Sequence, residues 1–550
     1  MKKLLALLLS LTLVFSLAAC GETIDDGYTA TERPVVAEPV VFNWNIGADP
    51  KTLDPSLNGA SDGGDVINNT FEGLVREFNG EVLPGIAKSW DISEDGKTIT
   101  FHLRESNWSN GDPLTAHDFV YGWKHGMDPA TGSEYSWLWH YTNVVGSEEA
   151  VDGASLNDVG IEATDDYTFV VQLKQPTDYF VSLTAFYHFM PLHQASVEAV
   201  ADGMWAKTPA KATSNGPYML TSYELGKGLV LEKNPEYWNA DNVQIEVING
   251  KFIDSAYTAF AAFQNDDLDY IPSVPPSEVT RLIAEDNQFY VFPLLGTYYY
   301  SFNLDLDVWQ NAKLRTALSL SIDREAIVEA MGGIATPATG VVPPGFTDHE
   351  GNDFYATAGN FGVETDSSKF EEAKTLLDEA LAEMGYAGVE EFPTDLVILY
   401  NTSEGHKLVA EMVQQMWKEN LGISVDLQNQ DWAVFQGTRK AGDFDIARGG
   451  WLTDYMDPSG MLSIFTSENA YNDPNFYNDE YDTLMNEAMA ATDKTVHFEK
   501  LYAAQEVFMN EMPIVPVYHY SDSMYVKSYV KNWGRSVLGS VDFSQARIDK

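Results

Sequence analysis

The sequence predicts an α/β protein with mixed sheets, and three observations carry that reading. Residues 394–428 read as strand, helix, strand. Leu396 to Tyr400 is a buried-strand run, and Leu408, Val409, Met412, Val413, Met416 and Trp417 recur at helical spacing until Gly422. Ile423, Val425 and Leu427 then alternate. Such a βαβ unit implies parallel pairing through a right-handed crossover. Ahead of it, Phe370, Ala373, Leu377, Ala380, Leu381 and Met384 make one apolar helix face, which Gly385 terminates. Asp91 to Leu103 reads as an antiparallel hairpin, with Asp95-Gly96 at the turn and Thr98 to Leu103 alternating.

In chain order, Lys2 and Lys3 precede an uncharged run from Leu4 to Ala19. A positive start followed by a short apolar run is a secretory signal rather than a membrane span. Residues 1–19 are therefore expected to be removed. Leu17-Ala18-Ala19-Cys20-Gly21 resembles the bacterial lipobox, and Cys20 is the only cysteine in the chain. That arrangement implies a lipid on Cys20, with residues 20–39 as an acidic, proline-bearing tether. Val40 to Ile46 reads as a first strand. Thr115 with Asp118 matches a capping box that opens a helix through Lys124. No later stretch is apolar enough to span a bilayer. The expected location is the extracellular face of a cell membrane, or the periplasm where an outer membrane exists.

Composition narrows the function. At 550 residues the chain exceeds what one core supports, so at least two domains are expected. Hydrophobic residues at 44% exclude a disordered chain. Acids outnumber bases 82 to 33, for a net charge of −49, which excludes a nucleic-acid partner. One cysteine excludes a disulfide framework and a cysteine-ligated metal.

Catalytic patterns are weak. Gly59-Ala60-Ser61-Asp62-Gly63 has the spacing of a nucleophile elbow, which would make Ser61 the nucleophile of a secreted hydrolase. That chemistry needs a strand running into the turn, and the intervening Asp49-Pro50 and Asp54-Pro55 are loop-like. Asp305/Asp307 and Asp443/Asp445 lack the glycine and glutamate of a calcium loop. Neither a catalytic residue nor a cofactor nor a metal is expected.

Residues 431–458 stand out. Two tryptophans (Trp432, Trp451), two arginines (Arg439, Arg448) and the carboxylate Asp454 gather around Gly449-Gly450. Taken alone they read first as core aromatics with the arginines in surface ion pairs, and only second as a site. Together with Thr70 to Val75, Thr115 to Tyr121, Asn215 to Tyr218, Thr297 to Tyr300, Tyr400 to Ser403 and Ile514 to Tyr518, the segment resembles the oligopeptide-binding lipoproteins of ABC importers, in the family 5 extracellular solute-binding proteins. The landmarks run in family order across residues 40–540.

The resemblance implies a periplasmic-binding-protein type II-like fold of two lobes with an additional inserted domain. Lobe I would comprise 40–75, 205–305 and 516–550, the inserted domain II 76–204, and lobe III 306–515. It implies a monomeric, non-enzymatic receptor that captures short peptides between its lobes and delivers them to the transmembrane subunits of a permease. Receptors for a dipeptide, a peptide pheromone, a nickel complex or an oligosaccharide are the alternatives inside the family.

Carried over residue by residue, Gly450, Trp451 and Leu452 from one lobe and Gly59, Ala60 and Ser61 from the other would meet the peptide backbone. Asp454 would take its α-ammonium. Arg439, Arg448 and His406 would lie near its carboxyl end, although His406 also reads as an ordinary helix N-terminal residue. Trp432, Trp451, Tyr121, Tyr299 and Tyr520 would be pocket or lid aromatics, with core packing the competing reading for Tyr299 and Tyr520. A lysine that the family often carries after the triple tyrosine is replaced here by Asn303-Leu304-Asp305.

Overall fold

The computed structural model describes residues 38–200, 203–536 and 538–550. The expected signal peptide 1–19, the lipidated Cys20 and most of the tether lie outside the described residues. Val40 to Lys550 forms one compact unit.

The strands and helices that position the site are introduced in chain order. The first are β1 (Val41–Asn45) and helix α1 (Ser61–Thr70). Then come β2 (Ala87–Ile92), β3 (Thr98–Leu103), helix α2 (Ala116–Met127), β4 (Ile161–Asp165) and β5 (Thr168–Gln172). β2 and β3 form the expected hairpin, and β3 pairs next with β5, giving a four-stranded antiparallel sheet in the order β2-β3-β5-β4. α2 has both halves of the capping box: Asp118 Oδ2 accepts from the Thr115 amide at 2.7 Å, and the Thr115 side chain is bonded in turn to the residue 118 backbone.

A second sheet is far larger. Its strands are β6 (Tyr218–Glu224), β7 (Gly228–Lys233), β8 (Val247–Lys251), β9 (Tyr270–Ile271) and β10 (Phe289–Phe302). After helix α3 (Phe370–Met384) come β11 (Val397–Asn401), helix α4 (Glu404–Leu421), β12 (Asp426–Gln430), helix α5 (Trp432–Lys440), β13 (Ile446–Leu452) and β14 (Ile514–Val526). The spatial order is β6-β7-β8-β1-β9-β14-β10-β13-β11-β12, and the two-residue strand Thr336–Pro337 adds to β14.

The βαβ unit is present and parallel, from Val397↔Asp426 to Asn401↔Gln430. Its second strand begins at Asp426 rather than Ile423. Ile423 and Val425 alternate because they are buried in the core before the ladder starts, 1% and 4% exposed. α3 ends as expected, with Gly385 in the left-handed region at φ 86°.

β10 and β14 hold the two halves of the large sheet together. Residues 289–293 of β10 pair with 525–521 of β14, beside β9, and residues 297–301 pair with 519–514, beside β13. Between the halves the register slips, at Pro293/Thr297. Both long strands are thus irregular at one level, between the two regular ladders.

Candidate functional site

The site grows out of β13. This strand is paired along one edge with β10, from Gly296↔Leu452 to Phe302↔Ile446. On its other edge β11 pairs only at Ile446 and Ala447. From Arg448 onward that edge has no strand partner among the described residues. Arg448, Gly450, Trp451 and Leu452 line a cavity of about 450 Å³. Unpaired strand edges readily accept another extended chain.

Alternation along β13 puts Gly449 and Trp451 on one face and Arg448, Gly450 and Leu452 on the other. The glycines are needed for space. A Cβ at Gly449 would sit 2.1 Å from the Tyr299 ring, and one at Gly450 would sit 2.1 Å from the Tyr520 hydroxyl. The two aromatics therefore press directly on the strand from its two sides.

Asp454 follows β13 and is 6% exposed. Its Oδ1 accepts a hydrogen bond from the Tyr135 hydroxyl at 3.2 Å, and its Oδ2 is buried without a partner. Burial raises its pKa to about 8, offset in part by the Tyr135 bond. Around it stand Trp451, Tyr135 and Tyr471. The Trp451 ring lies 6.1 Å from Tyr135 and 5.0 Å from Tyr471, and its indole N–H is fixed on Gly460 O at 2.8 Å. A buried carboxyl with one idle oxygen and aromatic walls has the chemistry to accept an ammonium group.

At the other end of the edge, Arg448 donates to the Tyr520 hydroxyl at 2.7 Å, its Nε is buried without a partner, and its guanidinium lies 5.0 Å from the Tyr298 ring. Arg439, at the end of α5, pairs with Asp473 at 2.9 Å. Both arginines line the cavity, as do Trp432, Gly450, Trp451, Leu452, Asp454, Tyr520, Gly59, Ala60 and Ser61.

Three expected residues lie elsewhere. Tyr121 stacks on His125 one turn along α2, at 5.8 Å, and does not line the cavity. Tyr299 covers Gly449 and meets Phe465 at 5.8 Å, which makes it packing beneath the site. His406, in the first turn of α4, packs on Tyr298 at 5.6 Å behind the cavity wall. Burial and the nearby Arg448 charge hold its pKa well below the ordinary histidine value, so it carries no charge for a carboxylate. Ser61 opens α1, but residues 51–60 contain no strand and no histidine lines the cavity. The nucleophile-elbow geometry is absent at this serine. No group of three metal-capable side chains occurs among the described residues.

Several lining residues escaped sequence reasoning. Tyr135 and Glu134 come from the segment between β3 and β5. Tyr471 reaches Gly59 O at 3.5 Å, across the cavity. Lys440 lies 3.4 Å over the Tyr471 ring, donates to Ala470 O at 2.7 Å, and has its pKa lowered to about 8 by burial. None of them sits in a recognisable motif, so no spacing signal could have found them. Asp62 was visible inside the Gly59–Gly63 pattern, next to the serine that drew attention.

The fold and site define a two-lobed binding protein that closes over an extended ligand. Residues 81–473 match the bacterial extracellular solute-binding proteins, family 5, middle region. The chain belongs to this family. It is 35% identical to the oligopeptide-binding protein OppA of Bacillus subtilis over 553 residues, covering 99% of this chain and 98% of that protein. The solved complex of Haemophilus influenzae OppA with RPPGFSPFR superposes with a TM-score of 0.84 at 34% identity, over 93% of this chain and 99% of that one. The unliganded open form of the murein tripeptide binding protein MppA gives 0.61 at 32% identity, over 93% and 98%. Sequence distance is nearly equal in the two cases. The present structure superposes better on the peptide-bound relative than on the unliganded open one.

Proposed function

We propose that the protein is the substrate receptor of an ABC importer, which captures short peptides as extended strands between its lobes and presents them to the membrane permease. The observation that carries this reading is the open edge of β13 ending at the idle, buried Oδ2 of Asp454. Main-chain pairing along the edge gives affinity without reading side chains. Asp454 fixes the register by pairing with the free amino terminus, since a charge enclosed away from water needs a partner charge. Closure about the β10/β14 join buries the ligand, and the ligand stabilises the closed state by bridging both lobes. A lipid on Cys20 would hold the receptor at the outer face of the cell membrane.

Calorimetry with tri- to hexapeptides, free and N-acetylated, tests the binding step. Free peptides are expected to bind and acetylated ones to lose most of their affinity. Equal binding of both would overturn the role of Asp454. Mass spectrometry of the membrane-extracted protein, with and without Cys20→Ala, tests the anchor: wild type carries a lipid mass and the variant does not.

A further inference from the structure

The wall of the cavity formed by α1 carries more negative charge than the protein neutralises. Asp62 and Asp65 stand one helical turn apart, and both line the cavity. Asp62 Oδ2 is buried and accepts no hydrogen bond. Asp65 Oδ1 accepts the Val541 amide N–H at 3.0 Å. Asp522, on β14, adds a third carboxylate to the same wall. Arg535 is the base that acts most on Asp65 among the described residues, and it is already ion-paired with Asp522. Burial raises the Asp62 pKa to about 6, opposed by bonds from the Gly63 backbone and the Trp432 side chain and reinforced by Asp49, and raises the Asp65 pKa to about 7, reinforced by Asp522 and Asp62.

The surroundings suit a particular chemical shape. Ile46, Pro272 and Leu294 line the cavity with apolar surface. The Tyr270 ring lies among Arg535, Asp522 and Asp65. Gly539 brings this wall up to the open edge of β13, because a Cβ there would lie 3.0 Å from Leu452 Cδ1 and 3.9 Å from Arg535 Nη2. A ligand strand on β13 would therefore send a side chain toward α1, past apolar surface and on to two carboxylates without ion pairs. Lysine and arginine have this form, an aliphatic stem with a cationic head.

We propose that the pocket under Asp62 and Asp65 takes a basic side chain of the bound peptide, so that cationic peptides are the favoured ligands of the cleft. The inference rests on the peptide-binding reading above. The cationic head supplies the charge that α1 lacks and relieves the repulsion between the two aspartates, and a charge-assisted hydrogen bond to Asp62 Oδ2 satisfies its idle oxygen. An acidic side chain at the same position would add to the excess.

The test is calorimetry on the whole mature protein with an alanine tetrapeptide and with its lysine, arginine, norleucine and glutamate versions at each position. At one position lysine and arginine are expected to bind about ten-fold tighter than norleucine, with glutamate weaker than norleucine. Asp62→Asn and Asp65→Asn, which keep shape and acceptor oxygens, are expected to bring the lysine-to-norleucine ratio toward one. The Asp62 variant decides alone if the Asp65 variant fails to fold. If the alanine peptide binds and lysine matches norleucine everywhere, the pocket is wrong and the peptide reading stands. If no peptide binds, the peptide reading itself fails. A lysine preference that survives in both variants also overturns the inference.

Discussion

The two ends of the open β13 edge hold opposite charges in unequal states. At the Asp454 end, one carboxylate oxygen is bonded to Tyr135 and the other has no partner. At the Arg448 end, Arg439 is already ion-paired with Asp473, while Arg448 donates to the Tyr520 hydroxyl and keeps its Nε buried without a partner. A group lacking a partner in a closed site depends on the ligand, whereas a paired group can wait. On the proposed reading, the ligand's amino terminus would be met at one fixed point, Asp454, while at its carboxyl end Arg439 already holds a protein carboxylate and Arg448 has an idle Nε. Fixed register at one end and tolerance at the other is how one cleft can accept chains of different length.

The largest effect should come from breaking the fixed end. Asp454→Asn is expected to weaken free peptides by about 3–5 kcal/mol, two to four orders of magnitude in Kd, while N-acetylated peptides change little. Arg439→Ala, in contrast, should cost under ten-fold in peptide affinity and vary with peptide length, because the buried Asp473 rather than the ligand is its standing partner. Equal losses in both variants, measured by calorimetry, would abolish the asymmetry.

Next in size is a packing effect. Gly449→Val must displace the Tyr299 ring and is expected to lower stability by about 1–3 kcal/mol, read as a fall in melting temperature. An unchanged melting temperature would show that the strand is not gripped from that face.

Protons sharpen the same contrast. With a folded-state pKa of about 8 against an ordinary value of 3.8, Asp454 binds more protons in the native than in the unfolded state between those values. Its contribution to stability therefore falls as pH rises across that window. His188 and His519, pushed down to about 3, oppose this only below their ordinary value of 6.5. From pH 6.5 to 8 the ligand-free protein should lose stability, and Asp454→Asn should flatten much of the slope. Peptide binding at pH 7 should release a proton, seen as a dependence of the calorimetric heat on buffer ionisation.

The smallest effect is expected at Tyr135→Phe. Loss of one hydrogen bond to Asp454 Oδ1 should cost about 1 kcal/mol of peptide affinity. It should also push the Asp454 pKa further up, detectable as proton release persisting to higher pH.

Much of the frame was legible in the chain. The capping box at Thr115, the glycine stop at Gly385 and the βαβ unit at 397–430 each follow from short-range rules, and the structure places them within a few residues. Site residues adjoining a strand edge, from Gly450 to Asp454, were legible through their likeness to a family pattern. His406, Tyr121 and Tyr299 were not. Each is an aromatic or imidazole ring beside a functional neighbour, and only side-chain direction decides whether it faces the cavity or the core. Tyr135, Tyr471 and Lys440 were missed for the converse reason: nothing around them in sequence is unusual.

The sequence by itself determined the alternation of strands and helices, the apolar faces, the acid excess and the presence of Asp454 beside a glycine pair. Those depend on periodicity and residue chemistry, which are local. Tertiary structure alone decided that β11 leaves β13 after Ala447, that Asp454 loses water on one oxygen, and that Asp62 and Asp65 share a wall where the nearby Arg535 is ion-paired with Asp522. These facts arise from segments hundreds of residues apart meeting in one cleft, where burial sets what each charge can do.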